Sequence, residues 1–197
     1  MALKDLPRAI HPRSRAQVLT EIVQRTQRVT GLLAGTMSHG TAYQFLGLGR
    51  NLERADMTTR MIDVAVAVRT EASEALRRYD NTLWIAVLRS VSAYQMYRQY
   101  VRRRVRGEDV MDFLLKDRTF PRAVVHCLHE SQSALATLPR SAAADTQVCL
   151  CLDHVASLEV HDADPERMRE LLDELQIEIA TIGEVLAHTW FYVQDEQ

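Results

Sequence analysis

Residues 41–66 read TAYQFLGLGRNLERADMTTRMIDVAV. Phe45, Leu48, Leu52, Ala55, Thr59, Ile62 and Val66 recur at alternating steps of three and four, the spacing that lines one face of an α-helix. The pattern predicts a helix from about Thr41 to Arg78, with a break near Thr70. Beside this apolar stripe runs a second row, Gly49, Glu53, Asp56, Arg60 and Asp63, at the same spacing. Ionisable groups therefore stand directly next to side chains that folding must bury.

The same period extends in both directions along the chain. Upstream, Ser14 can cap a helix reaching about Gly35, with Val18, Ile22, Arg25, Val29 and Leu32 at 4-3-4-3 spacing. Downstream, Asp80 or Asn81 can cap a helix that carries Trp84, Val87, Val91, Tyr94, Arg98, Val101 and Val105 before Gly107 stops it. Glu108–Lys116 reads as a short helix with Met111, Leu114 and Leu115. Thr119 and Pro121 then signal the start of another, because proline is tolerated in a first turn. That helix aligns Val124, Leu128, Leu135 and Leu138 and ends at Pro139. A further one spans about Ala142–Glu159. Asp164 and Pro165 form a cap and first turn for the last helix, which presents Met168, Leu172, Leu175, Ile179, Ile182, Leu186 and Trp190.

No segment shows a two-residue period with hairpin turns. Glycine and proline together number 12 of 197 residues, about half the usual share, so turns are few and helices long. The expected fold is all-α: residues 1–13 as an N-terminal extension and 14–193 as one domain of about seven helices in an elongated bundle. Each fully buried large side chain contributes roughly 1.5–3 kcal/mol, so the apolar stripes dominate stability and function is left to the other faces.

The formal net charge of −2 conceals a division. Residues 1–150 carry 22 Lys/Arg against 14 Asp/Glu, whereas 151–197 carry 2 against 12. The three cysteines, Cys127, Cys149 and Cys151, are too few for a disulfide framework, which agrees with a reducing, cytoplasmic setting. The segment Lys4 to Arg8 lacks the apolar core of a signal peptide, and no apolar run of about 18 residues exists to span a membrane.

Three constellations could carry chemistry. The first is the polar face of Arg50, Glu53, Arg54, Asp56, Arg60 and Asp63. Asp56–Arg60 and Arg60–Asp63 are opposite-charge neighbours, while Glu53 and Asp56 are like charges one turn apart that call for a nearby cation. Such a face can be a solvated salt-bridge network, a docking surface, or an acid–base or metal pair. The second comprises His126 with His129 and Glu184 with His188, weak metal candidates that lack the paired Glu-x-x-His motifs of di-iron bundles; no cofactor is implied. The third is the basic patch Arg98, Arg102, Arg103, Arg104 and Arg106, interleaved with Tyr94, Tyr97 and Tyr100. Arginines among aromatics suit nucleic acid, but these end a helix, and Glu170, Glu174 and Glu178 on the acidic last helix offer an internal counterpart. Pairing between helices or protomers is the expectation, homo-oligomerisation included, with a protein partner second and nucleic acid the weakest reading. Dinucleotide, Walker and nucleophile-elbow motifs are absent.

The run from Thr36 and Met37 through Phe45, Leu46, Leu48, Gly49, Arg50, Leu52, Glu53, Arg54, Ala55 and Asp56 to Arg60 and Asp63 resembles the bacterial alpha-E domain family. So do Trp84, Leu88–Ser90, Ala93–Tyr94, Phe113–Leu115, Asp117, Phe120–Arg122 and Cys127–Leu128. The resemblance covers roughly residues 15–190 and corresponds to the second half of a usually longer, two-part sequence. Tyr43 stands where a tryptophan is common and Ala123 where a serine is common. The resemblance implies a helical protein without an established reaction, encoded beside ATP-grasp and transglutaminase-like proteins. The expectation is therefore a helical accessory or scaffold whose partner is one of those proteins, serving peptide synthesis or modification. An enzyme component using the Glu/Asp/Arg face for amide chemistry is the alternative.

Overall fold

Where the spacing predicts helices, helices form. The structure, a computed structural model, describes residues 12–72, 79–161 and 163–192. Among the described residues eight helices follow one another: α1 Pro12–Thr36, α2 Thr41–Glu71, α3 Asp80–Ser90, α4 Tyr94–Tyr100, α5 Gly107–Lys116, α6 Val124–Leu135, α7 Ala142–Ser157 and α8 Pro165–Trp190. Among the described residues there is no strand, and the fold is an all-α helical bundle. The end of the predicted second helix, residues 73–78, lies outside the described residues.

By its contacts the chain divides into two units, Met1–Tyr43 and Gln44–Gln197. The first contains α1, in which Thr20, Thr26, Thr30 and Thr36 each donate their hydroxyl to the carbonyl four residues back. Arg25 pairs with Glu21 across one turn at 2.5 Å. Of the predicted stripe only Val18 is buried, whereas Val29 and Leu32 are exposed. Among the described residues no other complete helix belongs to this unit.

The second unit holds the core. Trp84, Leu88, Tyr97, Leu114, Leu115, Leu128, Leu135, Met168, Leu172 and Leu175 are fully enclosed. α7 packs against both α6 and α8, and α5 joins α3, α6 and α7. Aromatic rings extend the packing, Tyr97 edge-on to Phe113 at 5.6 Å and Phe113 beside Phe120 at 5.2 Å between centroids.

Three local departures from the expected elements have physical causes. The predicted third helix is two, because Ser92 adopts a left-handed φ of 57°. Ala93 N–H donates to Leu88 O and Ser92 N–H to Arg89 O, the paired bonds of a Schellman ending. The register then resets, and Tyr97 enters the core in place of Tyr94 and Arg98. Gly107 opens α5 instead of closing a helix, and a Cβ at this position would lie 2.6 Å from Trp84 Nε1. α6 starts at Val124, after a turn in which Asp117 Oδ1 accepts from Thr119 N, Thr119 Oγ1 and Phe120 N at 2.7–2.8 Å. The last helix begins as expected, Asp164 Oδ1 accepting from Arg167 N at 2.9 Å with Pro165 in the first turn.

Candidate functional site

α2 and α8 run antiparallel. Near one end Phe45 meets Trp190 and Phe191 edge-on, at 5.3 and 5.2 Å between ring centroids. Toward the other, Arg169 Nε lies 3.1 Å from Asp63 Oδ1. Between these contacts the helices leave a cleft of about 450 Å³. Its apolar walls come from Phe45, Leu48 and Leu52 on α2 and from Ile179 and Leu186 on α8, with Phe191 beyond. Gly49 on one helix and Ala180 and Gly183 on the other line it with almost no side chain, and a Cβ at either glycine would meet nothing within 4 Å.

Glu53, Asp56 and Arg60 complete the lining. Arg60 Nε donates to Asp56 Oδ2 at 2.7 Å, and this bond, followed by the charges of Asp56 and Glu53, holds the guanidinium above its ordinary pKa. Asp56 is thus committed to a cation. Glu53 is exposed and makes no hydrogen bond or ion pair among the described residues, although it lies within the influence of Arg60. The arrangement is an open polar rim on an apolar hollow, which can take an amphipathic group with a positive end.

The six residues of the predicted polar face therefore separate. Glu53, Asp56 and Arg60 line the cleft, and Asp63 ties α2 to α8 through Arg169. Arg50 and Arg54 point elsewhere: they are absent from the lining, and Arg54 lies near Cys127 and Arg122. Burial lowers the pKa of Arg54, with Arg50 and then Arg122 adding repulsion and Cys127 opposing them.

The other candidates do not assemble as the spacing suggested. His126 Nδ1 bonds the Arg118 carbonyl at 2.9 Å, while His129 faces a hollow with Lys116, Cys149 and Asp153. Glu184 and His188 are exposed on α8, His188 edge-on to Tyr192. Among the described residues no three His, Cys, Asp or Glu side chains gather as a metal set. The acidic ridge is satisfied within α7 and α8: Arg167 reaches Glu170 at 2.9 Å and Glu174 at 3.6 Å, and His154 Nδ1 lies 2.8 Å from Glu178. It is not held by the arginines at 98–106. Those are exposed, with Arg98 and Arg89 over the Tyr94 ring and Arg102 Nε donating to Gln99 O at 3.0 Å.

Sequence reasoning missed the α8 side of the cleft and the placing of Arg122 near Arg54. The available signal for the cleft was a glycine inside each helix, Gly49 and Gly183. Glycine there costs about 1 kcal/mol and calls for a local reason.

This is an all-α domain with an acidic-rimmed cleft between its second and last helices. The chain belongs to the Alpha-E family, described as a predicted alpha-helical domain with a conserved ER motif, and the match covers residues 1–191. The Glu-Arg pair occurs here at 53–54 on α2 and at 166–167 in the first turn of α8. Comparison with curated proteins and with solved structures gives no match. No helix among the described residues is long and apolar enough to cross a membrane.

Proposed function

We propose that this domain is a helical docking module whose α2–α8 cleft receives a segment of a partner protein. The observation that carries the reading is the pairing pattern at the rim. Arg60 neutralises Asp56, while Glu53 stands unpaired above apolar walls. A cleft of this kind suits a segment that places an apolar side chain between the helices and a lysine, arginine or amino group against Glu53. The partner implied by the family resemblance is an ATP-grasp or transglutaminase-like protein, with this chain assisting peptide synthesis or modification. An enzymatic use of the face has less support, because acid–base work by two carboxylates needs both available, and Asp56 is held by Arg60.

The test is binding of a purified ATP-grasp or transglutaminase-like protein from the same organism, the partner class that the family resemblance implies, measured by calorimetry. Glu53→Gln and Phe191→Ser alter exposed lining residues, so their folding can be checked separately by circular dichroism and thermal midpoint. Each is expected to weaken binding by about tenfold or more, in line with loss of a charged or aromatic anchor. Wild-type affinity in both folded variants, or no binding by wild type, overturns the reading.

A further inference from the structure

A different face of α2 carries a second arrangement. Arg50, Arg54 and Thr58 stand four residues apart in one row on the helix. Thr58, only 2% exposed, donates its hydroxyl to the main-chain carbonyl of Arg122 at 2.8 Å, which fixes the turn before α6 against this row. The Arg54 guanidinium feels the charges of both Arg50 and Arg122, so the three side chains are neighbours there. Arg54 is half-buried, and Arg50 and Arg122 are exposed.

None of the three forms an ion pair or a side-chain hydrogen bond among the described residues. Five arginines elsewhere are matched, Arg25 with Glu21, Arg60 with Asp56, Arg69 with Asp80, Arg167 with Glu170 and Arg169 with Asp63. The exposed arginines at 98–106 form no ion pair among the described residues but are not desolvated as Arg54 is. Like charges held together and partly desolvated repel one another, and the ordinary remedy is a counter-ion. Here the described residues supply none. The start of α6 strengthens the potential, since its N-cap Ala123 offers no side-chain acceptor to the first-turn amides. The arginines carry the inference, and the helix end only adds to it.

We propose that Arg50, Arg54 and Arg122 bind a multiply charged oxyanion of the phosphate class. A planar guanidinium fork donates two parallel hydrogen bonds to such an anion, and three forks can address different edges of a tetrahedral group. A single carboxylate leaves two of the three charges uncompensated, so phosphate or pyrophosphate fits better. The docking cleft is not involved, because none of the three arginines lines it.

The experiment titrates the full chain with inorganic phosphate, pyrophosphate and acetate at constant ionic strength and neutral pH, followed by calorimetry and thermal midpoint. Saturable binding of phosphate or pyrophosphate in the millimolar range or tighter is expected, with acetate weaker by about tenfold. Arg54→Gln and Arg122→Gln should each weaken binding by about tenfold, as loss of a charge-assisted pair requires. Arg122 is exposed and accepts the Thr58 hydrogen bond with its main-chain carbonyl, which Arg122→Gln leaves in place, so this variant is expected to keep the fold even if Arg54→Gln does not. The double variant Arg102→Gln/Arg103→Gln, in the other basic patch, should bind like wild type. Absence of saturable binding up to about 10 mM, equal affinity for acetate, or an equal loss in the double variant overturns the proposal.

Discussion

The Thr58 hydroxyl and the Arg122 carbonyl, 64 residues apart in sequence, meet at 2.8 Å in a partly buried contact between α2 and the turn before α6. This is one of few side-chain bonds that join distant segments of the second unit. Thr58→Val keeps the shape of the side chain and removes the donor, leaving the carbonyl without this partner. The expected cost is about 1–3 kcal/mol, read as a lower urea midpoint with an unchanged slope, and Thr58→Ser should restore most of it. A Thr58→Val protein as stable as wild type would show that the contact does not hold the turn.

The turn has a second anchor in Asp117. One carboxylate oxygen gathers Thr119 N, Thr119 Oγ1 and Phe120 N, which orients Phe120 into the core beside Phe113. Asp117→Ala should destabilise by about 1–3 kcal/mol, since it releases backbone donors together with a hydroxyl. Asp164→Ala, which loses only the Arg167 N bond at an exposed cap, should cost about 1 kcal/mol. Reversal of this order in chemical denaturation would contradict the assignment of Asp117 as the organiser of the turn.

Gly107 is small because Trp84 requires it. The indole lies where a Cβ would be built, with Nε1 at 2.6 Å and Cε2 at 2.7 Å, and Trp84 is wholly enclosed. Gly107→Ala gives α5 a better helix former yet should destabilise the protein by about 1–3 kcal/mol through overpacking. Fluorescence of Trp84 should shift as the ring is displaced. Gly49→Ala, in open space on the cleft wall, should instead stabilise by about 0.4–1 kcal/mol.

These residues also mark how far the sequence is readable. Helix periodicity is a local property, so the stripe from Phe45 to Val66 and the Asp164–Pro165 start could be read directly, and both stand. Helix ends set by tertiary packing could not. Ser92 takes a left-handed conformation that glycine or asparagine would have advertised, and Gly107 reads as a terminator until Trp84 is placed against it. The candidate face was legible as a row of charges, but the row alone does not reveal which neighbour each charge faces. Asp63 found Arg169 on α8, and Glu174 and Glu178 found Arg167 and His154 instead of the basic patch. Such pairings depend on helix order and crossing, which charge spacing along one helix leaves undetermined.

The cysteines yield a pH dependence with a definite sign. Burial pushes the Cys127 thiol up to about 11 from an ordinary 9.0, with Arg54 pulling the other way. Cys151 is raised as well, by burial first and then by Glu178. Well below 9.0 both thiols hold their proton whether the chain is folded or not, and they add no pH dependence. Above it the unfolded chain releases protons that the native state retains. Stability therefore falls as pH rises, by up to about 1.4 kcal/mol per unit for each buried thiol, and for Cys127 the loss continues to about 11. Other groups titrate in that range, so the informative quantity is the difference between wild type and Cys127→Ala, whose stability should decline less steeply over the same window. Thiol labelling offers an independent check. At neutral pH only the half-buried Cys149 should react quickly with an aromatic disulfide reagent, and Cys149→Ser should abolish that fast phase. Rapid labelling of all three thiols in the folded protein, or parallel pH profiles for wild type and Cys127→Ala, would refute the burial argument.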